Sequence, residues 1–404
     1  MLAHSRVNAL ARCVTRYGQL CRCYSAEAAV EPPPAGGHLP SIATSSLLRP
    51  TRDLAIRTPG LVWTDEDGSG PSRSIVGGRE TRKMNLYQAV RDAMSVAMSK
   101  DDHAVVFGED VAFGGVFRCT MGLAEEFGRE RVFNTPLTEQ GIVGFEIQFA
   151  DYIFPAFDQL VNEAAKIRYR SGGSYNVGGL TVRAPTMAVG HGGLYHSQSP
   201  KASSWALPAS KLSSLALPFK PKVYFSVLSA TPTRSSSWSL RFSTVLAVEQ
   251  VPTDDFTLPV GRAETLIPGS DLTLLTWGTP VYHCEAAMHM LASPTPEMEE
   301  HAPAALRKAR VELIDLRTVL PWDIETVVES VNRTGRLVVV HEAGMTGGVG
   351  AEICAQVQQR CFLKLDAPVK RVTGWDTPVA LQYEKFHIPD ALRVFDAIVE
   401  TLSY

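Results

Sequence analysis

The sequence lacks a long apolar run, cysteine pairs at metal-ligand spacing, and an excess of positive charge. Because no stretch of about eighteen apolar residues occurs, the sequence predicts no membrane span. A net charge of −3 over 404 residues gives no indication of nucleic acid or an anionic membrane as partner. With 45% hydrophobic and 20% charged residues, the composition is that of a globular protein long enough for two domains.

Acidic residues are absent from the first 26 positions, and Glu27 is the first. A basic leader of this kind that can form an amphipathic helix is typical of a mitochondrial presequence, which predicts a matrix protein. A disordered basic tail is the alternative. The leader carries four arginines: Arg6, Arg12, Arg16 and Arg22.

Of the seven cysteines, three would leave with the leader: Cys13, Cys21 and Cys23. The others show no CxxC pair, so we expect buried free thiols in a reducing compartment. These are Cys119, Cys284, Cys354 and Cys361.

Residues 27–80 are rich in Pro, Gly, Ser and Thr, and we interpret them as a linker or arm, with order starting near Met84. Residues 81–255 are predicted to form a first domain. It starts with a helix capped by Asn85 and continues with buried strands at 104–107 and 132–134. Strands alternating with helices favour an α/β class with a parallel sheet covered on both faces.

Residues 256–404 repeat this alternation and are predicted to form a second, separate α/β domain. Strands are expected at 271–278, 310–316 and 336–342. Helices are expected to start near 280, 323 and 351.

The stretch 201–248 contains no Gly, Asp, Glu, Asn, Gln or His, and 12 of its 48 residues are Ser. An α/β domain needs such residues at turns and helix caps. This composition is therefore anomalous within the first domain.

Three motifs could carry chemistry. Glu139, at a strand-to-helix turn, lies where ligands bind in parallel sheets, although the residues alone favour a glutamate stabilised by the helix dipole. The loop 191–199 contains His191 and His196 among glycines and hydroxyls, which suits proton transfer or an ordinary surface loop equally. The glycines of 344–352 lack dinucleotide-motif spacing and favour close strand-to-helix or subunit packing.

Several sequence blocks together resemble one family. They are FGEDV at 107–111, VFNTPLTEQG at 132–141, QFADY at 148–152, YHSQS at 195–199, DLRT at 315–318 and PWD at 321–323. In this order they are similar to the beta subunits of the decarboxylase components of 2-oxoacid dehydrogenase complexes. The blocks at 111–120 and 139–145 resemble the branched-chain type more than the pyruvate type, which remains the alternative.

The resemblance implies a transketolase-like fold, with a pyrimidine-binding domain and a C-terminal domain. Thiamin diphosphate would lie between this chain and an alpha subunit that supplies the magnesium and diphosphate site. Glu139 would share a proton with the aminopyrimidine ring, and an apolar pocket would raise its pKa. Leu137, Gln148 and Tyr152 would contact the same half of the cofactor.

The resemblance also assigns His196 to proton transfer as the acyl group passes to a lipoyl arm of the complex core. Backbone carbonyls of Gly178, Leu180 and Thr181 would hold a potassium ion. Two alpha and two beta subunits would assemble.

The chain departs from the family pattern between 146 and 248. Part of a crossover is missing after Phe145, although a parallel crossover needs about ten or more residues. The residues of 201–248 are those expected if the family sequence is translated with its reading frame shifted by one base. The family pattern resumes at Glu249. A non-catalytic paralogue that only binds its partner subunits is the rival interpretation. A free-standing transketolase-like enzyme is disfavoured because the sequence lacks a diphosphate-binding Gly-Asp-Gly motif.

Overall fold

A computed structural model of the chain describes residues 42–63, 79–115, 117–138, 141, 154–175, 180–186, 193–197, 211–215, 235–240 and 247–404. These residues belong to one unit, Pro40–Tyr404. The predicted leader, most of the anomalous stretch, and the candidates Glu139, Gln148, Tyr152 and Gly178 lie outside the described residues.

Fifteen strands occur in the described part of the chain. They are β1 (Val62–Trp63), β2 (Thr81–Asn85), β3 (Val106–Gly108), β4 (Val132–Asn134), β5 (Thr181–Thr186), β6 (Lys211–Leu215), β7 (Ser235–Leu240), β8 (Val248–Pro252), β9 (Phe256–Thr257), β10 (Glu264–Ile267), β11 (Leu272–Thr276), β12 (Val311–Asp315), β13 (Thr318–Leu320), β14 (Leu337–His341) and β15 (Lys370–Thr373).

The α-helices of the same part are α1 (Arg52–Ile56), α2 (Leu86–Lys100), α3 (Leu123–Phe127), α4 (Ile167–Arg170), α5 (Gly193–His196), α6 (Pro280–Ala292), α7 (Ile324–Thr334), α8 (Val349–Cys361), α9 (Glu384–His387) and α10 (Ala391–Leu402). A π-helix spans Gln159–Ala164. Short 3-10 turns lie at Ile42–Thr44, Val111–Phe113, Phe154–Ala156, Leu306–Lys308, Phe362–Lys364 and Leu381–Tyr383.

The C-terminal half contains a five-stranded sheet of order β10-β12-β11-β14-β15, in which only β10 runs antiparallel. Every residue of β11, β12 and β14 is buried, as expected for strands covered on both faces. Leu274 faces the core that includes α6 and α10, whereas Leu275 faces the core that includes α7 and α8. The predicted strands and helices of this half are confirmed.

Helix starts follow the capping residues in the sequence. Asn85 and Gln88 form a reciprocal capping box at the start of α2, so the predicted cap is confirmed. Asp323 caps α7 and Asp390 caps α10 through backbone N–H groups three residues on, at 3.1 and 2.9 Å.

The first half of the chain is less regular than its strand pattern predicts. β3 and β4 form the expected parallel pair. β5, β7 and β6 are also parallel, but β13 adds to β6 in the antiparallel direction, and β2 pairs antiparallel with β8. Because β13 belongs by sequence to the second predicted domain, the domain boundary at 255 stays a prediction.

Residues 42–63 pack against both halves of the chain, so the expectation that order starts near Met84 is wrong. Leu48 is buried in the core that includes α6 and α10. Trp63 is buried beside Val251 of β8. These apolar residues lie in runs of two or three that are separated by Ser, Thr, Pro and charged residues, and they therefore give no periodic signal in the sequence.

The start of this arm is held by one buried carboxylate on α6. Glu285 accepts hydrogen bonds from the Ser45 hydroxyl at 2.5 Å and from the Ser46 amide at 2.8 Å. Glu285 is 1% exposed. A carboxylate buried to this degree is stable only when its oxygens are hydrogen-bonded, and the arm supplies those donors.

The arm then enters a buried ion cluster. Arg49 Nη2 lies 2.8 Å from Glu264 Oε1 on β10, and its backbone amide donates to Glu249 on β8 at 3.0 Å. Arg317 pairs with the second oxygen of Glu264. The cluster therefore connects the arm, strand β8 and the C-terminal sheet.

Arg49→Met is expected to destabilise the chain by about 3–5 kcal/mol, because Glu249 and Glu264 would lose a buried cationic partner. Arg57 is exposed on the same arm, and Arg57→Met should change the stability by less than about 0.5 kcal/mol. Urea unfolding of both variants measures the difference. Equal stabilities would show that the cluster contributes little.

A second prediction concerns pH. Burial lowers the pKa of His283 on α6, and the Asp390 carboxylate opposes this shift. Because the folded pKa lies below the unfolded value of about 6.5, the unfolded chain binds the proton more readily. This stability contribution is present above pH 6.5 and is lost as the pH falls below it.

His283→Gln should therefore flatten the fall in unfolding free energy between pH 7 and pH 5. The reduction in slope can reach about 1.4 kcal/mol per pH unit, the value for one proton. Urea titrations at several pH values measure it. An unchanged slope in the variant would contradict the assignment of the proton to His283.

Candidate functional site

The carboxyl ends of β3 and β4 adjoin at one edge of the first half. The strands are in register from Val106 opposite Val132, and the rings of Phe107 and Phe133 stack at 5.4 Å. The Thr135 amide donates to the Gly108 carbonyl at 2.9 Å. The segment that carries Leu137 and Glu139 therefore leaves the sheet where parallel strands present their ligand-binding edge.

A glycine-rich loop follows β3 and is fixed to the end of β4. Asn134 Oδ1 accepts a hydrogen bond from the Ala112 amide at 2.7 Å. Gly114 has φ +123°, and a Cβ there would lie 3.2 Å from the Met121 backbone. The loop thus needs glycine both for its left-handed backbone and for this close approach.

The side chains at this edge are partly apolar and open. Leu137 is 81% exposed and Phe113 is 65% exposed, whereas Glu109, directly after β3, is buried. Glu139, Gln148 and Tyr152 lie outside the described residues. Of the predicted cofactor contacts, the structure therefore places Leu137 alone, on an accessible apolar surface beside the strand ends.

The histidine loop is placed through its backbone. His196 ends the short helix α5, and Ser197 follows it with 5% exposure. The Ser197 hydroxyl donates to Glu384 Oε2 at 3.0 Å. Glu384 is 3% exposed and lies on α9 in the C-terminal half. Sequence reasoning missed this partner, because nothing local relates positions 187 residues apart.

The segment around α9 also holds a buried histidine. His387 is 8% exposed, and its ring meets Trp375 edge-on at 6.2 Å. Burial and the nearby Arg393 guanidinium lower the pKa of His387, while Glu384 acts in the opposite direction. Neutral imidazole is therefore the form that this environment favours.

The predicted potassium ligands are only partly within the described residues. Leu180 packs against the core that includes α7 and α8, and Thr181 begins β5 opposite Ser235. Gly178 lies outside the described residues. The cation site stays a prediction.

Close packing, as predicted for the glycines of 344–352, occurs at Gly350. A Cβ at Gly350 would lie 2.4 Å from His341 Nε2. The first turn of α8 can therefore approach the end of β14, where the His341 and Trp277 rings stack at 5.4 Å. The predicted close strand-to-helix packing is confirmed at Gly350.

The described cysteines are free thiols. Burial is confirmed for Cys119, Cys284 and Cys361, but Cys354 is half-buried, so the prediction is wrong there. Within the described ranges, no cluster of three or more His, Cys, Asp or Glu residues could hold a metal ion. None of the described helices is long and apolar enough to cross a membrane.

Two family models match the chain. The pyrimidine-binding domain of transketolase matches residues 82–236, and the C-terminal domain of transketolase matches residues 261–394. Among solved structures, a split-gene transketolase, described as an inactive beta4 tetramer, aligns with a TM-score of 0.60. That alignment covers 79% of this chain and 99% of the other at 20% identity. The transketolase-like α/β fold is therefore confirmed.

Curated relatives are more similar in sequence. The mitochondrial 2-oxoisovalerate dehydrogenase subunit beta of Dictyostelium discoideum is 49% identical over 83% of this chain and 90% of its own length. Subunit beta 2 of Arabidopsis thaliana is also 49% identical, over 80% of this chain and 90% of its own length. The Chaetomium thermophilum subunit is 45% identical over 96% of this chain and 81% of its own length. The resemblance found in the sequence blocks is confirmed: this chain belongs to the family of 2-oxoisovalerate dehydrogenase beta subunits.

Proposed function

We propose that the chain is the beta subunit of a thiamin-diphosphate-dependent decarboxylase of branched-chain 2-oxoacids in the mitochondrial matrix. The observation that carries this proposal is its identity of 45–49% with beta subunits named 2-oxoisovalerate dehydrogenase over at least 80% of its length. The acyl group would pass to the lipoyl arm of the complex core.

The edge formed by β3 and β4 fits the pyrimidine half of the cofactor. Leu137 offers an exposed apolar surface, suited to an aromatic ring. Glu139 follows two residues later and would hold a proton against a ring nitrogen, with Gln148 and Tyr152 as further contacts. When bound, thiamin diphosphate supplies the electron sink for loss of carbon dioxide.

His196 would move the proton needed for acyl transfer. Its backbone lies at the end of α5, directly before a serine that is buried and hydrogen-bonded to the C-terminal half. Such anchoring suits a group that must be held in one geometry during proton transfer.

An alpha subunit would complete the site, in an assembly of two alpha and two beta subunits. The exposed apolar side chains of Phe113 and Leu137 at the candidate site support a protein partner there. The alpha subunit would bring the magnesium ion and the diphosphate-binding residues. Backbone carbonyls of Gly178, Leu180 and Thr181 would hold a potassium ion in this chain.

The anomalous composition of residues 201–248 favours a second candidate, a non-catalytic subunit that binds the alpha subunit or the core. Soluble co-purification without turnover would support it.

An error in the sequence is the other interpretation of this stretch. Sequencing the transcript is then expected to show a one-base frame shift in this stretch and a lost crossover after Phe145. A transcript with the same open frame would contradict that expectation.

Co-expression with the alpha subunit, without residues 1–24, tests the function. Thiamin-diphosphate-dependent decarboxylation is expected with 4-methyl-2-oxopentanoate in preference to pyruvate. If the chain shows no turnover, a variant with a family-like 146–248 segment is expected to restore it. Preference for pyruvate would show that the chain is the pyruvate type, and no activity from either form would contradict catalysis.

Glu139→Gln should lower decarboxylation by about 100-fold or more in whichever form is active, because the glutamine cannot exchange a proton. Glu125 is exposed on α3, and Glu125→Gln serves as the matched control with unchanged turnover expected. Steady-state rates with saturating cofactor measure both. Equal rates would remove Glu139 from the proposed role.

A further inference from the structure

The hydrogen bond between Ser197 and Glu384 joins the histidine segment to the C-terminal half. It measures 3.0 Å and both residues are at least nine-tenths buried, with exposures of 5% and 3%. A hydrogen bond shielded from water is stronger than one at the surface. Loss of Glu384 would remove the acceptor of the buried Ser197 hydroxyl.

The two segments also meet through their backbones. Gly193, at the start of α5, has φ +59°, and a Cβ there would lie 3.5 Å from Leu381 Cβ. Leu381 begins the 3-10 turn that leads directly into α9. The segment that carries Glu384 therefore lies against both ends of α5.

Arg393 fixes this segment to the C-terminal sheet. Its Nη1 donates to the Ile388 carbonyl at 3.1 Å, just beyond α9. Its Nη2 donates to the Thr373 carbonyl at 2.6 Å, at the end of β15. Glu384 is thus anchored through a continuous set of contacts to a rigid sheet, and it transmits that position to Ser197.

We propose that Glu384 is a positioning residue, which holds Ser197 and through it the backbone of His196 for acyl transfer. The inference rests on the proposed function of His196. In that transfer, the two electrons left after loss of carbon dioxide open the lipoyl disulfide. One sulfur would form a thioester bond with the acyl carbon, whose bond to the cofactor would break as its hydroxyl group loses a proton and becomes the carbonyl. The other sulfur would take the proton that His196 delivers.

The role predicts a split between two rates of the complex with the alpha subunit. Decarboxylation of 4-methyl-2-oxopentanoate is measured with ferricyanide as electron acceptor, and acyl transfer is measured with an isolated lipoyl domain. Glu384→Ala should lower the acylation rate by about 10- to 100-fold, since small displacements of a reacting group cost up to about 100-fold. The ferricyanide rate should stay within about twofold.

Matched variants separate the hydrogen bond from general packing. Glu384→Gln keeps an acceptor for the Ser197 hydroxyl and should restore most of the acylation rate. Ser197→Ala should also lower the acylation rate, and the double variant should lose less than the two single losses combined, as expected for two partners in one interaction. Gln382 is exposed on the same segment, and Gln382→Ala should behave as the unchanged chain.

A second readout requires no turnover. Hydrogen–deuterium exchange across residues 193–197 of the full chain should accelerate in Glu384→Ala and not in Gln382→Ala. Unchanged exchange, a parallel loss of both rates with a lower melting temperature, or failure of Glu384→Gln to restore acylation would overturn the positioning role. By contrast, His196→Ala with normal acylation would refute the proposed function of the histidine itself.

Discussion

The buried ion cluster around Glu264 is the interaction on which the rest of the structure depends. Arg49 of the arm and Arg317 after β12 share this one carboxylate, and Arg49 also contacts Glu249 at the edge of the first half. Removing one member would leave buried charge without its partner, which costs more than an intact pair contributes. The cluster therefore couples three segments that are distant in sequence.

The cluster joins the arm, β8 and the C-terminal sheet, and the C-terminal half also contacts the segment after His196. The edge that carries Leu137 belongs to the β3–β4 pair, while the serine after His196 is held by Glu384 from the C-terminal half. In the proposed function both segments act in one site, and their relative position would have to be fixed. A displacement of about 1 Å can lower the rate of a reaction by about 100-fold.

The sequence predicts those features that depend on residues close together in the chain, such as helix caps and buried strands. The cap at Asn85 and the fully buried run of β14 could be read from the sequence, because capping and burial depend on residues close together. The place of Glu384 could not, since its partner lies 187 residues away and an isolated glutamate gives no signal. The order of the arm has a related cause: Leu48 and Trp63 lie in short apolar runs without periodicity, and they are buried in clusters with residues of distant elements.

The family can be recognised because the matching sequence blocks lie outside the anomalous stretch 201–248. Within the described residues, β6 and β7 connect this stretch to β5 and β13, whereas the β3–β4 edge, the ion cluster and the anchor of Ser197 involve other segments. Under the proposed frame shift and lost crossover, a chain with the family-like segment would differ most directly in the sheet that contains β5. The Ser197–Glu384 hydrogen bond and the β3–β4 pair involve residues outside 201–248, so a chain with a family-like segment there is expected to keep both contacts.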